Sequence, residues 1–294
     1  MVTTRSTGRA KPIGPPRVHA LTSVSVDESN LCDDWPGSSA AMVVRIVDGV
    51  LVEVARSGDV AMPRPWASVS KLVVAMAIGA DTDDGRCCYE QPVGPTGATL
   101  AHLLSHSGGF GLEAEDRMVP FGTRRVYSNI AVDLAVDAVT DRAPAQWLAE
   151  RVFDPLAMRE SELVGRPASG VVGSTRDLAS FAGAWLRTTL IRSSTRDRIV
   201  SPFLSELDGI VPGFGRFSPC PWGLGPEVRG SKRHWMGDWP ADSAGHFGQS
   251  GALALFSVRE GIAVVATTGE PFGAWAVALW PAWTSRVRRL ALGT

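Results

Sequence analysis

Ser68-Val69-Ser70-Lys71 stands where a turn containing Pro63 and Pro65 runs into an apolar stretch, residues 72–78. If that stretch is helical, side chains at i and i+3 stack on one face, so the hydroxyl of Ser68 and the amine of Lys71 meet with little freedom. The first N–H groups of a helix lack intrahelical partners and carry partial positive charge, which would stabilise an anion forming beside Ser68. An acyl-transfer nucleophile needs that combination. Alone the pair says little, because three lysines (Lys11, Lys71, Lys232) give a chance S-x-x-K in about one chain in five. Two further groups change the weight. Tyr127-Ser128-Asn129, holding one of only two tyrosines, precedes the apolar run that begins at Ile130. His246-Phe247-Gly248 is followed by Gln249-Ser250-Gly251 and a β-prone run from Ala252.

The elements that must position these residues follow from periodicity. Residues 42–46 and 51–54 are β-prone and joined through Asp48-Gly49, a hairpin signal. From Trp66 the pattern turns helical, with helices predicted over 99–104, 130–139, 145–152 and 175–190, the last with Asp177 near its start. Loops such as 105–111 lie between them. Near Trp222 the chain returns to β character, and residues 252–258 and 262–267 flank a turn at Glu260-Gly261. Residues 274–292 read as an amphipathic helix with Arg286, Arg288 and Arg289 on its polar side. Strands at both ends with helices between predict an α+β fold, one antiparallel sheet built from both termini and flanked by helices, with an inserted helical region. Residues 1–33 contain Gly8, Pro12, Gly14, Pro15 and Pro16 and lack the apolar core of a secretory signal. They are expected to form a disordered tail. Residues 34–294 are expected to form a single catalytic domain, its sheet part at about 34–75 and 215–294 and its helical part at about 76–214.

Composition narrows the function. The chain has 294 residues, 45% hydrophobic, enough for a sizeable core. Its net charge is -1 with both signs mixed along the sequence, so no nucleic-acid partner is expected. No apolar run approaches the ~18 residues of a membrane span, and a cytoplasmic protein without a membrane partner is expected. Cys32, Cys87, Cys88 and Cys220 show neither C-x-x-C spacing nor a dense disulfide framework, so reduced thiols are expected. His102 and His106 have helical spacing, but Leu103 follows His102, so no H-E-x-x-H zinc site exists. There is no phosphate-binding loop either, and neither metal nor cofactor is expected. Gly248-Gln249-Ser250-Gly251 approaches a nucleophile elbow, but the fifth residue is Ala252 where G-x-S-x-G needs glycine, which argues against an α/β-hydrolase.

Taken in order, S-x-x-K, Y-x-N and H-x-G make the sequence resemble the serine β-lactamase-like hydrolases. The likeness is to their class C branch, which includes β-lactamases, D-alanyl-D-alanine carboxypeptidases, D-aminopeptidases and esterases. Y-S-N stands where the related class A set has S-D-N, and H-F-G where it has K-T-G. Leu103-Leu104-Ser105-His106-Ser107-Gly108-Gly109 is similar to the family's LLSHTSG loop, and Trp222-Gly223-Leu224-Gly225 to its YGLG segment. The resemblance spans roughly residues 35–283 and implies a β-lactamase/transpeptidase-like fold.

It also implies roles. Ser68 would form an acyl-enzyme, with Lys71 or Tyr127 as base. Free lysine titrates near ~10.4 and tyrosine near ~10, so either needs a shift to serve at neutral pH. Asn129 would hydrogen-bond Lys71 and the acyl side chain of the substrate. The backbone N–H groups of Ser68 and Gln249 would meet the oxyanion, and Gly248 and Gly251 would admit the substrate closely. His246 departs from the pattern: a lysine there is permanently charged, whereas a histidine with pKa ~6.5 is protonated in roughly a quarter of molecules at pH 7. Carboxylate recognition is therefore expected to be weaker or pH-dependent. The expected function is a serine esterase or amidase acting on a small acyl substrate. A D-alanyl-D-alanine carboxypeptidase or weak β-lactamase is the alternative, and a non-catalytic ligand-binding module the alternative of another class. His106 is expected to hold backbone groups, Trp222, Trp235 and Trp239 to pack, and the loops 113–123 and 226–243 to read the substrate. The oligomeric state is not legible.

Overall fold

In the computed structural model, which describes residues 22–27, 30–93, 97–113 and 119–294, the chain opens with β1 (Thr22–Asp27), β2 (Ser39–Val47) and β3 (Val50–Ser57). A short β4 (Arg64–Pro65) leads to the long helix α1 (Ser70–Asp83). The middle comprises α2 (Leu100–Leu104), α3 (Asn129–Asp137), α4 (Pro144–Leu148), β5 (Glu162–Leu163), β6 (Val171–Gly173), α5 (Thr175–Arg187) and α6 (Ser193–Val200). The chain returns through β7 (Gly209–Val211), β8 (Gly215–Phe217), β9 (Glu227–Val228), β10 (Ala244–Phe247), β11 (Leu253–Ser257) and β12 (Ile262–Thr268) to α7 (Ala274–Leu292). Seven strands form one sheet in the order β1-β3-β2-β12-β11-β10-β9. It is antiparallel except at its edge, where β1 runs parallel to β3.

Side-chain alternation explains the layers. β2 sends Ala40, Met42 and Val44 into one core and Ala41 and Val43 into another, as a strand covered on both faces must. On one face lies α5, whose N-terminus is capped by Ser174 Oγ accepting from Asp177 N at 3.0 Å. Its Phe181 and Trp185 are wholly buried, and a Cβ on Gly183 would come within 2.2 Å of Leu51. Although it falls in the expected helical part, α5 thus packs on the sheet. The other face is covered by α7 with Trp280, Trp283 and Val287, joined by Trp35 and Trp235. No helix among the described residues is long and apolar enough to cross a membrane.

The expected boundary at residue 34 is too late. β1 is ordered by backbone pairing, and Leu31 and Cys32 are buried, with Leu31 O accepting from Trp283 Nε1 at 2.6 Å. Residues 1–21 lie outside the described residues. The four cysteines are free thiols.

Two features place the chemistry. α1 is buried from Ser70 to Asp81, the signature of a helix enclosed on all sides. On β10, His246 pairs with Ala254, whose side chain belongs to the core around α1, while Phe247 pairs with Leu253 on the α7 side. Cross-strand partners share a face, so the register turns His246 toward α1.

Candidate active site

Ser68 lies in a 3-10 turn, Ala67–Val69, that runs directly into α1, rather than on the α-helix itself. The residue before it, Ala67, has φ 45°, a left-handed conformation that costs a side chain-bearing residue on the order of 1–3 kcal/mol. The turn is held from outside. Trp66 is wholly buried, its N–H donates to Val171 O at 2.8 Å, and its indole donates to Gly173 O at 3.0 Å. Lys71, in the first turn of α1, reaches back as the spacing predicts, its Nζ 3.2 Å from Ser68 Oγ.

Lys71 Nζ also donates to Asn129 Oδ1 at 2.6 Å and to Ala168 O at 2.9 Å, so three acceptors match its three protons. Burial nevertheless pulls its pKa down to about 7, against the opposing pull of the Asp133 and Glu113 carboxylates. Asn129 begins α3, which is capped by Ser128 Oγ accepting from Ala131 N at 3.0 Å. Asn129 Nδ2 donates to Glu113, Glu113 pairs with Arg166, and Arg166 pairs with Asp133. Asp133 Oδ1 then accepts from Ala168 N at 3.0 Å, which closes a ring of contacts around the lysine. Sequence reasoning missed Glu113, Asp133, Arg166 and the Ala168 carbonyl.

Tyr127 Oη donates to His246 Nε2 at 3.4 Å, and the Tyr127 ring centroid lies 4.9 Å from Lys71 Nζ. Burial raises the phenol above its ordinary range, so Tyr127 is neutral at physiological pH. His246 Nδ1 donates to Phe247 O at 2.7 Å, which fixes the tautomer and leaves Nε2 as the acceptor for Tyr127. Burial, reinforced by the charge on Lys71, pushes His246 down to about 3. This corrects the expectation of a partly charged, pH-responsive histidine: a desolvated imidazole beside a lysine stays neutral through the physiological range.

Gly248 is where the sheet touches the nucleophile. A Cβ there would fall 2.3 Å from Trp66 O and 3.1 Å from Ser68 N. The glycine therefore lets the segment carrying the Gln249 N–H approach the one carrying the Ser68 N–H. Gly251, at φ +81°, donates to Gly248 O at 2.9 Å and tightens the same turn.

Ser68, Tyr127, Asn129 and Gln249 line one cleft of about 720 Å³, with Leu112 and Ile210 among its apolar walls. Arg125, also missed, fastens the loops behind it by donating to the carbonyls of Cys220 at 2.5 Å, Ser105 at 2.8 Å, Leu204 at 2.7 Å and Phe203. His106 Nδ1 accepts from Ser128 N at 3.3 Å, the backbone-holding role expected of it. Trp222, Trp235 and Trp239 are buried and donate to Gly225 O, Glu227 and Thr284 O, so they pack and do not line the cleft. Of the loop 113–123, Glu113 and Val119 line the cleft and 114–118 lie outside the described residues; no residue of 226–243 lines it.

The β-lactamase family model matches residues 59–281. Among solved structures, a β-lactamase from Mycobacterium bovis is 35% identical, with 86% of this chain and 95% of that one covered and a TM-score of 0.81. A mutant of simvastatin synthase from Aspergillus terreus is 13% identical, covers 87% and 93%, and has a TM-score of 0.70. A D-stereospecific amidohydrolase from Streptomyces is 14% identical, covers 86% and 96%, and has a TM-score of 0.62. The last two share the fold alone. No curated protein matches significantly.

Proposed function

Because the chain belongs to the β-lactamase family of serine hydrolases, we propose that it is an esterase or amidase that works on a small acyl substrate through an acyl-enzyme on Ser68. The observation that carries this reading is the Lys71 amine, buried 3.2 Å from Ser68 Oγ with its pKa brought to about 7. A lysine lowered this far has a neutral form within reach near pH 7, able to accept the Ser68 proton as the serine attacks a carbonyl. Base assistance of this kind supplies roughly 10²- to 10⁴-fold. Tyr127, a neutral phenol, gives its proton to the departing alcohol or amine, and proton transfer from Lys71 restores it. The N–H groups of Ser68 and Gln249 hold the oxyanion, each contributing about 10²- to 10³-fold. Water then attacks the acyl carbon and releases the acid. Asn129 steadies Lys71 and meets the acyl side chain. The chemistry calls for no cofactor.

The neutral His246 supports an esterase or amidase over a penicillin-recognising enzyme, because β10 then offers no cation to a β-lactam carboxylate. The second reading, a D-alanyl carboxypeptidase or weak β-lactamase, is favoured by the 35% identity to a structure bearing the β-lactamase name. Intact mass of wild type and Ser68→Ala after incubation with a small activated ester and with a penicillin, with product release followed in parallel, separates them. Ester turnover lost in the variant supports the first reading, and a Ser68-dependent penicillin adduct supports the second. If neither reagent marks Ser68 or is consumed, a non-catalytic binding module takes their place.

A further inference from the structure

Among the described residues, the cleft holds one guanidinium without a partner. Arg124 lines it beside Ile210 and Pro212, half-buried, and makes no hydrogen bond or ion pair with any described residue. Among the described residues, the other charged groups that line the cleft are committed. Arg125 is spent on backbone carbonyls, Glu113 on Arg166 and Asn129, and Lys71 on its three acceptors. Asp208, the acid next to this wall, is taken by Arg216. His246, with Nδ1 donating and Nε2 accepting, offers no charge.

The backbone around Arg124 is fixed although its side chain is free. Arg125 N donates to Asp208 O at 3.0 Å, and Arg125 bridges in parallel to Gly209 at the start of β7. A cation on an ordered backbone, three residues before Tyr127 and opening into a cleft, is pre-organised for a planar anion, which a guanidinium grips with two parallel hydrogen bonds. The walls around it, Leu112, Val119, Val126 and Ile210, are apolar.

We infer that Arg124 is a specificity-determining residue that binds a carboxylate on the substrate. The preferred substrate class is then an acyl ester or amide with an apolar body that ends in a carboxylate. This deepens the hydrolase reading and rests on it.

The test is a matched pair, the 4-nitrophenyl ester of valeric acid and the mono-4-nitrophenyl ester of glutaric acid, which differ in a terminal methyl against a terminal carboxylate. Wild type favours the glutarate ester in kcat/KM, chiefly through KM, and the preference weakens with added salt. Arg124→Ala lowers the glutarate-to-valerate ratio by about 10- to 100-fold, the worth of a charged hydrogen-bonded contact. Arg124→Lys keeps part of the preference and Arg124→Glu reverses it, neither of which a loss of packing would do. An unchanged ratio in Arg124→Ala, with Ser68-dependent turnover intact, overturns the inference and leaves the hydrolase standing. Should neither ester be turned over, the hydrolase reading fails, and calorimetric binding of monomethyl glutarate decides the anion site. Binding that vanishes in Arg124→Ala upholds it, and equal or absent binding overturns it.

Discussion

Lys71 Nζ and Asn129 Oδ1 stand 2.6 Å apart although 58 positions separate them in the chain. That contact favours the ammonium, yet burial outweighs it and brings the pKa to about 7. Lys71 must be neutral to take the Ser68 proton, so kcat/KM for a neutral ester is expected to be low in acid and to rise through about pH 7. Lys71→Arg, which does not deprotonate, is expected to lose on the order of 10²- to 10⁴-fold. A pH profile flat from 5 to 9 would sink the assignment of Lys71 as base.

The ring around the lysine makes a prediction with opposite signs. Asp133 and Glu113 hold the Lys71 pKa up and Arg166 holds it down. Asp133→Asn removes a negative charge that favours the ammonium, so the midpoint of the pH profile moves to lower pH. Arg166→Gln removes a positive charge and moves it to higher pH. Damage to the loop would lower the plateau of both variants without shifting their midpoints in opposite directions, so the midpoints are the quantity to compare.

His246 is expected to show no titration across the physiological range. With Nδ1 committed to Phe247 O and its pKa pushed to about 3, the ring stays a neutral imidazole. In a sample carrying ¹⁵N-labelled histidine, the Nε2 resonance of His246 should stay in place between pH 5 and 8. A midpoint near 6.5 would mean that the site is wetter than its burial indicates.

The motif residues were legible because the reaction dictates residue types at short spacing. Ser68 and Lys71 must stand three residues apart where a turn enters a helix, and Tyr127 and Asn129 must flank a helix start. Glu113, Asp133 and Arg166 were not legible, since charges in a loop and on a half-exposed helix read as solvated, and the Arg166–Glu113 contact spans 53 positions. The state of His246 was hidden for another reason: its type is in the sequence, but its desolvation is a property of the packed site. α6 escaped notice because it is polar, burying little beyond Thr195 and Ile199. β1, which pairs in parallel with β3, lies before the expected boundary of the domain.

Gly248 should tolerate no side chain. In Gly248→Ala the new methyl would sit 2.3 Å from Trp66 O and 2.9 Å from Ala67 Cβ, so either β10 or the nucleophile turn must move. Displacement of one oxyanion donor is worth about 10²- to 10³-fold in kcat. Stopped assays on an activated ester should show that loss while the protein still unfolds cooperatively. Near-wild-type kcat would mean that the two segments do not cooperate in catalysis.

The edge of the sheet beside β10 rests on a buried charge cluster. Glu227 Oε1 accepts from Lys232 Nζ at 2.8 Å and His234 Nε2 at 2.7 Å, and Oε2 accepts from Trp235 Nε1 at 2.8 Å. Burial alone would raise the Glu227 carboxyl, but the Lys232 ammonium and the His234 ring hold it well below the usual carboxylate range. A carboxyl whose folded pKa lies below its unfolded value of ~4.3 stabilises the fold fully above that value. As pH drops below it, the unfolded chain takes up a proton that the folded one refuses, and the stability drains away. Glu227→Gln at pH 7 leaves the wholly buried Lys232 without a counter-charge, which costs about 3–5 kcal/mol. Removing both charges, in Glu227→Gln with Lys232→Met, should recover much of that loss. Urea unfolding at pH 7 and pH 4 measures both effects. The wild type should lose more stability between the two than the double variant does, and equal losses would show that Glu227 is not held ionised in the fold.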